Sequence, residues 1–296
     1  MSIRIVILII CVVVTDMTTS RANSEPVTKP TRAGYSFFGL GVNFIDYEEN
    51  SAQRVDGRIV DVETASMVNV AQQSGTYVSF SNEWGFYLIT SSTLGESQSE
   101  ESWVVDDAII RTNKILFEQQ RIGLLLSKHL KSDYYYLFGA QYNNTEFRRF
   151  GTTLTPAATD FGLTAESANL GTESETVLDL AAVAGLEKTT VFMSDQPGWR
   201  YQFQAVLGLP LLTNISNTEI NDGEKFGEGF SGLFGQGRFN YGYQFNKNIF
   251  LSLNLEIAVS QRNAIDREIS DSVRTTEFPS NTLVYFFPSL SLYWSF

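Results

Sequence analysis

The segment IFLSLNLEIAVS, residues 249–260, alternates apolar and polar side chains along most of its length. Every odd-numbered position from Ile249 to Val259 is apolar, whereas Ser252, Asn254 and Glu256 occupy positions between them. A β-strand places successive side chains on opposite faces, but a helix with this sequence would scatter its apolar residues around its surface. The segment therefore predicts a long β-strand with one apolar and one polar face.

The same alternation recurs in three other segments, residues 199–211, 233–245 and 284–296. It fits a water-soluble sandwich, whose apolar faces point inward, and also a membrane barrel, whose apolar face meets lipid. These stretches are longer than typical soluble strands, and their polar faces carry Gln, Asn, Ser and Gly rather than many Lys and Glu. We predict an all-β, transmembrane, antiparallel up-and-down β-barrel, and a soluble periplasmic sandwich is the structural alternative.

The barrel is expected to have about ten strands, joined alternately by short turns and long loops. We predict the strands at 34–46, 66–82, 85–95, 111–130, 134–147, 174–188, 198–212, 230–245, 249–262 and 281–296. The long polar loops are expected at 47–65, 96–110, 148–173, 213–229 and 263–280. A further hairpin inside 47–65 or 148–173 would raise the strand count to twelve.

The composition of the chain excludes several classes of protein. The chain has 296 residues, a formal net charge of −12, one Cys and one His. Nucleic-acid binding needs a basic face, so no nucleic-acid partner is expected. One Cys and one His cannot form a structural zinc site or a disulfide framework, and we predict no metal site and no cofactor. A mean hydropathy of −0.08 excludes a bundle of transmembrane helices.

The N-terminus has the features of a cleaved secretory signal. Arg4 supplies a positive charge, the apolar run that follows to Val14 is too short to span a bilayer as a helix, and Ser24 closes a small-residue cleavage site. The expected organisation is a signal peptide at 1–24, a short periplasmic segment at 25–33 and the barrel at 34–296.

Aromatic residues cluster at one end of the predicted hairpins, the end with the short turns. Aromatic rings with a polar tip favour the headgroup level of a membrane, so this cluster is interpreted as a periplasmic aromatic girdle. Its members are Trp84, Tyr134, Trp199, Tyr201, Tyr241, Tyr243 and Trp294.

The C-terminal segment PSLSLYWSF, residues 288–296, ends in Phe and carries apolar or aromatic residues at alternate upstream positions: Leu290, Leu292, Trp294 and Phe296. It resembles the terminal strand of Gram-negative outer-membrane β-barrels, in which this pattern is the assembly signal. The resemblance implies an outer-membrane location among lipid and lipopolysaccharide. It also implies the barrel-assembly machinery and periplasmic chaperones as partners during biogenesis. Within this class, the chain is similar to a solitary autotransporter-like barrel, although autotransporter barrels have twelve strands.

Some barrels of this size are enzymes. Omptin-type proteases use acidic residues and a His at the extracellular rim, and outer-membrane phospholipases use Ser and His near the outer leaflet. Here the only His, His129, falls at the predicted periplasmic end, on the same strand face as Ser127. This pair has the chemistry of a nucleophile and a base, so an outer-membrane lipid hydrolase is one alternative. An interfacial His flanked by Lys128 and Lys131 is the favoured interpretation, and we predict no enzymatic activity.

Charged side chains are also predicted on the lumen face of the strands: Arg121, Asp179, Glu187, Arg200, Arg238 and Glu256. Opposite charges facing each other across a narrow barrel form salt bridges that fill it, although charged rings also line selective pores. We favour the filled barrel, with a structural role or a narrow, closed pore and solvated acidic loops at the surface. Loop-mediated binding, as in an adhesin or receptor, is the main alternative function. Divalent cations bridging the acidic loops to lipopolysaccharide phosphates are a further hypothesis.

Overall fold

The structure is a computed structural model. It describes residues 34–55, 58–64, 66–164, 171–192, 194–218, 226–268 and 275–296. The predicted signal peptide, 1–24, and the segment 25–33 lie outside the described residues.

Long strands dominate the described chain, as the period-2 pattern predicts. The fifteen strands are β1 (Tyr35–Val55), β2 (Arg58–Thr64), β3 (Met67–Ser79), β4 (Trp84–Gly95), β5 (Ser99–Val105), β6 (Ala108–Lys131), β7 (Tyr134–Leu154), β8 (Glu173–Thr189), β9 (Gly198–Asn217), β10 (Phe226–Glu228), β11 (Gly232–Asn246), β12 (Ile249–Arg262), β13 (Ile265–Glu268), β14 (Thr275–Phe278) and β15 (Ser280–Ser295). One 3₁₀ helix, Pro156–Phe161, follows β7.

Ten of these strands close into a ring in the order β1, β3, β4, β6, β7, β8, β9, β11, β12 and β15. Closure is made by antiparallel pairing of the first and last strands, from Tyr35 opposite Ser295 to Asn50 opposite Ser280. Every pairing in the ring is antiparallel and joins neighbours in this order, so the ring itself has no open edge. The prediction of a ten-stranded, antiparallel, transmembrane up-and-down barrel is confirmed.

The predicted long loops are wrong over much of their length. The region 47–65 holds the end of β1 and all of β2, and 96–110 holds β5 and the start of β6. Likewise β7 runs on to Leu154 and β9 to Asn217, while β10, β13 and β14 are short hairpin strands. These hairpins lengthen existing strands and do not add to the ring, because β2 and β5 bridge β1 and β6 above the hairpin of β3 and β4.

The barrel therefore has two different ends. The turn end holds the tight connections 80–83, 132–133 and 247–248, together with the longer connection 190–197. The extended end holds the part of β1 after Asp46 and the part of β6 before Gln120, together with β2, β5 and the hairpin strands.

Between the two ends lies a belt of outward-facing apolar side chains. Leu40, Leu124, Leu207, Leu253 and Leu290 are each between 45% and 60% exposed, while the positions beside them along each strand face the interior. An outward apolar band is what a transmembrane barrel presents to lipid. No helix in the described ranges is long and apolar enough to cross a membrane.

Candidate functional site

The centre of the barrel is held by one carboxylate between two guanidinium groups. Glu256 on β12 accepts from Arg121 on β6 at 2.6 Å and from Arg238 on β11 at 2.8 Å. The Glu256 side chain is fully buried, and both Arg side chains are about nine-tenths buried. Buried charges are tolerated when they are paired and hydrogen-bonded, and this trio meets both conditions.

Neutral side chains from other strands complete this central layer. Gln73 on β3 donates to Glu256 at 2.6 Å, and the Tyr285 hydroxyl on β15 donates to the same carboxylate. The Arg121 guanidinium also lies 4.4 Å from the centre of the Tyr285 ring. Gln204 on β9 accepts from Arg238 at 3.2 Å. Six ring strands are thus tied together across the lumen by one polar network.

The network continues to a second carboxylate, Glu187 on β8, which is 1% exposed. Gln204 donates to it at 3.1 Å, so one amide links Arg238 to Glu187. Tyr87 donates to Glu187 at 2.7 Å. The two Arg and two Glu of the connected network balance in formal charge, which reduces the electrostatic cost of placing them inside the barrel.

An aromatic floor closes the lumen at the turn end. Tyr35 lies at its centre, with ring centroids 5.5 Å from Tyr77, 5.4 Å from Phe192 and 5.8 Å from Tyr293. Phe192 comes from the connection 190–197, which folds back under the barrel. The remaining rings of the floor are Phe37, Tyr87 and Phe250.

Small cavities lie beside the central layer. One, of about 30 Å³, is lined by Arg121, Leu125 and Arg238 among others, and another, of about 50 Å³, is lined by Arg121, Asp179 and Tyr285 among others. A water molecule needs about 10–15 Å³ by this kind of measure, so each cavity has room for a few waters. The side chain of Arg121 borders both cavities.

The interior of the extended end is also filled. Ile45, Met67, Phe117 and Phe147 belong to an apolar cluster directly above the central layer. A second charged group lies beyond it, where Arg149 on β7 donates to Glu101 at 2.9 Å and to Glu49 at 2.9 Å, and Arg262 lies 3.3 Å from Glu175.

Burial sets the ionisation behaviour of this second group. Burial raises the pKa of Glu49, although the charge of the nearby Arg149 acts to lower it. Burial also raises the pKa of Tyr47. Burial alone would lower the pKa of Arg149, but the carboxylates of Glu101 and Glu49 hold that pKa well above its usual value. The expectation of solvated acidic loops is wrong for Glu101, which is fully buried.

The predicted lumen residues occupy three different places. Arg121, Arg238, Glu256 and Glu187 form the connected network in the lower and middle interior. Asp179 is half-buried and accepts from Thr213 on the neighbouring strand. Arg200 lies at the rim of the turn end and not in the lumen, because it starts a strand and donates to Gln244 at 2.7 Å and to a backbone oxygen of the adjacent turn.

Sequence reasoning missed Gln73, Tyr285 and Arg149 as partners in these networks. For Arg149 and its partner Glu49 the sequence signal was the alternation of side chains. Glu49 follows Tyr47, and Arg149 follows Phe147, at the two-residue spacing that keeps both side chains on the inward face of a strand. The alternation continued into the regions assigned to loops.

The predicted girdle residues lie at the turn end. The Trp199 ring stacks on Tyr241 at 5.0 Å, and the Tyr201 hydroxyl donates to Asp133 at 3.0 Å. Lys128 lies 5.2 Å from the Trp84 ring, and Lys188 lies 5.0 Å from the Tyr134 ring. Trp294 and Tyr243 are 41% and 37% exposed.

Ser127 and His129 do not contact each other through a hydrogen bond in the described chain. Ser127 is fully buried inside the barrel wall, and its hydroxyl has no hydrogen-bond partner there. The Nε2 atom of His129 lies 2.8 Å from the carbonyl oxygen of Ser132, and its ring lies against Tyr135. Among the described residues, no group of three or more His, Cys, Asp and Glu is placed to hold a metal ion.

Comparisons with known proteins find similarity in structure. No protein-family model and no curated protein matches the chain. The outer membrane protease OmpT from Escherichia coli matches with a TM-score of 0.57 at 9% identity, over 93% of this chain and 99% of that one. The translocator domain of the autotransporter NalP from Neisseria meningitidis gives a TM-score of 0.37 at 8% identity, over 96% of this chain and 92% of that one.

At 9% identity the OmpT match shows the fold and carries nothing about activity, and the lower TM-score of NalP supports no conclusion. The closed ten-stranded ring, the lipid-facing belt and this match together define the class: the chain has the fold of a Gram-negative outer-membrane β-barrel.

Proposed function

We propose that this protein is a non-enzymatic, non-conducting outer-membrane barrel. Its extended end forms a rigid β-structured platform at the cell surface. The observation that supports the proposal best is the filled interior. The aromatic floor, the Arg121–Glu256–Arg238 layer and the apolar cluster above it succeed one another along the barrel axis. The two cavities beside this layer each have room for only a few waters.

Single-channel recording tests the closed lumen. The purified full chain, inserted into planar bilayers, is expected to give no discrete conductance steps. The variant Arg121→Ala joins the two cavities but leaves the floor in place, so it is expected to remain silent too. Discrete steps from the unmodified protein would overturn the closed-barrel proposal, and steps from Arg121→Ala alone would identify a one-residue gate.

Support for the absence of enzymatic activity comes from Ser127 and His129. A hydrolase based on this pair needs the hydroxyl within reach of the imidazole and of a lipid, but the hydroxyl is buried inside the wall. The expected result is no phospholipid turnover by the protein in mixed micelles. Turnover that disappears in His129→Ala would contradict the proposal.

A second candidate function is binding by the platform, and one group of side chains favours it. At the extended end the Arg111 guanidinium lies 4.4 Å from the Trp103 ring, and Arg58 lies 5.3 Å from the Phe161 ring. Ile109 beside them is 46% exposed. Trp and Arg are enriched at interface hot spots. Cells displaying the protein should adhere to an immobilised matrix protein or glycan more strongly than cells displaying Trp103→Ala if this function is real.

A further inference from the structure

Two neighbouring strands interrupt the apolar belt with polar side chains. We define the polar stripe as Gln72, Ser74 and Thr76 on β3 and Thr90 and Ser92 on β4. The positions between them face the interior, since Gln73 donates to Glu256 and Ser91 accepts from Arg121 at 3.0 Å. Because side chains alternate along a strand, the polar stripe faces lipid.

The polar stripe lies within the belt and not at its border. Ser74 is five residues from the turn end of β3, which corresponds to a height of about 12 Å in a belt about 25 Å tall. Val68, Val70 and Leu94 lie above the stripe, and Val78 and Leu88 lie below it, and all five are exposed. On the other eight ring strands most outward positions of the belt are apolar or Gly. The polar exceptions are Ser36 and Gln120, which border the stripe, Asn144, which pairs with Gln120, and Lys128 and Lys188 near the turn end.

The stripe residues use only part of their hydrogen-bonding capacity. Ser74 pairs with Thr90 at 2.8 Å, Thr76 pairs with Ser36 at 2.8 Å, and Gln72 donates to Ser92 at 3.1 Å. Within the described part of the chain, the carbonyl oxygen and the second N–H of the Gln72 amide have no hydrogen-bond partner. Lipid tails offer no partner either, and an unmet amide group in hydrocarbon is costly.

We propose that the polar stripe is the interface through which two copies of this chain associate side by side in the membrane. Barrels in one membrane share the same orientation, so a two-fold axis along the membrane normal brings residues of equal height together. An amide both donates and accepts. Two Gln72 side chains related by that axis therefore form a reciprocal pair of hydrogen bonds, which a lipid cannot supply.

Charge and area agree with a second copy as the occupant. The stripe carries no charged side chain, so two identical surfaces meet without repulsion, and each hydroxyl can serve as donor or acceptor. Four strands, β1, β3, β4 and β6, spaced about 4.8 Å apart over a belt about 25 Å tall, give about 500 Å² per copy. The total of about 1,000 Å² reaches the lower limit for a specific interface.

Crosslinking of single-cysteine variants in outer membranes tests the proposal. Ser74→Cys is placed in the stripe, and Ala205→Cys is the matched control at a similar height on the opposite wall, facing lipid on β9. Both are made in a Cys11→Ser background, so that no other cysteine is present. A short bis-maleimide should convert Ser74→Cys largely to a species of twice the mass and leave Ala205→Cys a monomer, and adding Gln72→Leu should reduce the crosslinked fraction severalfold.

Heat-modifiable gel mobility confirms that each variant is folded before it is scored. Equal crosslinking at both positions, or none at Ser74→Cys in a folded protein, overturns the proposal. Crosslinking of Ser74→Cys to a different protein also overturns it, because the occupant is then not a second copy. None of these results bears on whether the lumen conducts.

Discussion

At the scale of single residues, Glu256 is the side chain on which most of the interior depends. It accepts hydrogen bonds from Arg121, Arg238, Gln73 and Tyr285, each from a different strand. The trio carries one negative and two positive charges. Removing the negative charge of Glu256 therefore leaves two buried guanidinium groups without their shared partner.

Replacing Glu256 by Gln should therefore destabilise the barrel strongly. Removing one partner of a buried ion pair costs about 3–5 kcal/mol, because the remaining charge is buried without compensation. The measurement is guanidinium or heat unfolding of the detergent-solubilised protein. Asp179→Asn, a change in a half-buried lumen carboxyl that accepts from Thr213, is the control and should cost much less. Equal losses of stability in the two variants would mean that the Glu256 ion pairs stabilise the barrel no more than the Asp179 carboxyl does.

A second prediction concerns Glu118, on the outer face above the belt. A hydrogen bond with Glu96 raises the pKa of Glu118 to about 6, and Arg148, 3.7 Å away, opposes that shift. Because the folded chain holds this proton more tightly than the unfolded chain, protonation stabilises the fold. That contribution is complete below about pH 4.5 and is lost as the pH rises through about 6.

The unfolding temperature of the unmodified protein should accordingly fall more between pH 5 and pH 7 than that of Glu118→Gln. Glu100→Gln, which changes an exposed carboxylate of the extended end that is not among the groups that shift the pKa of Glu118, is the matched control and should keep the slope of the unmodified protein. Parallel pH profiles for all three proteins would refute the assignment of the raised pKa to Glu118.

At the scale of elements, the connection 190–197 sends Val191 and Phe192 into the barrel interior, whereas its residues 194–197 are exposed. Phe192 is 6% exposed and has a φ of 52°, a left-handed conformation that a bulky residue adopts only when packing compensates for it. Its ring packs on Tyr35 at 5.4 Å and on Phe250 at 6.4 Å. The connection thus closes the turn end from below.

Phe192→Ala is expected to cost about 3–5 kcal/mol, the usual cost of deleting a buried aromatic ring. Phe230 provides a matched control, because it also has a positive φ, 56°, but is 65% exposed. Phe230→Ala should change the free energy of unfolding by less than about 0.5 kcal/mol. The comparison is made by chemical denaturation under identical detergent conditions, and similar losses in both would point to backbone strain instead of ring burial.

The alternation of side chains was sufficient to predict the ring strands, because period 2 is a local property of the sequence. β12 spans Ile249–Arg262, which matches the predicted 249–262. The extended end was missed because Glu49, Glu101 and Arg149 are residue types that are usually solvated. Their burial depends on partners from distant strands. The pairing of Arg121 with Glu256, 135 positions apart, depends on the stagger of the whole ring and cannot be deduced from any one strand.

At the scale of the whole molecule, the ring is completed at its first and last residues. The backbone N–H of Phe296 donates to the Gly34 carbonyl at 3.2 Å, and its ring lies so close to Gly34 that a Cβ there would be 2.8 Å from it. Phe296 is nevertheless 69% exposed. Because it is so exposed, the Phe296 side chain contributes little to the free energy of unfolding. This exposure fits a role in recognition during assembly.

Phe296→Ala should lower the rate at which the barrel appears in the outer membrane and leave the unfolding temperature of the assembled protein almost unchanged. Pulse-chase labelling with heat-modifiable gel mobility measures the rate. Phe245→Ala, an aromatic residue 52% exposed at the same end, is the control and should assemble normally. Normal assembly of Phe296→Ala would remove the basis for the C-terminal signal in this chain.

The continuation of the strands past the belt has a mechanical consequence. β6 has 24 residues, of which about half lie beyond the belt, so the wall rises about 25–30 Å above the lipid. A sideways force on the tip acts through a lever arm as long as the membrane is thick. Because the wall is hydrogen-bonded and packed with side chains down to the floor, that force tilts the whole barrel as one stiff body and does not bend the wall above the lipid.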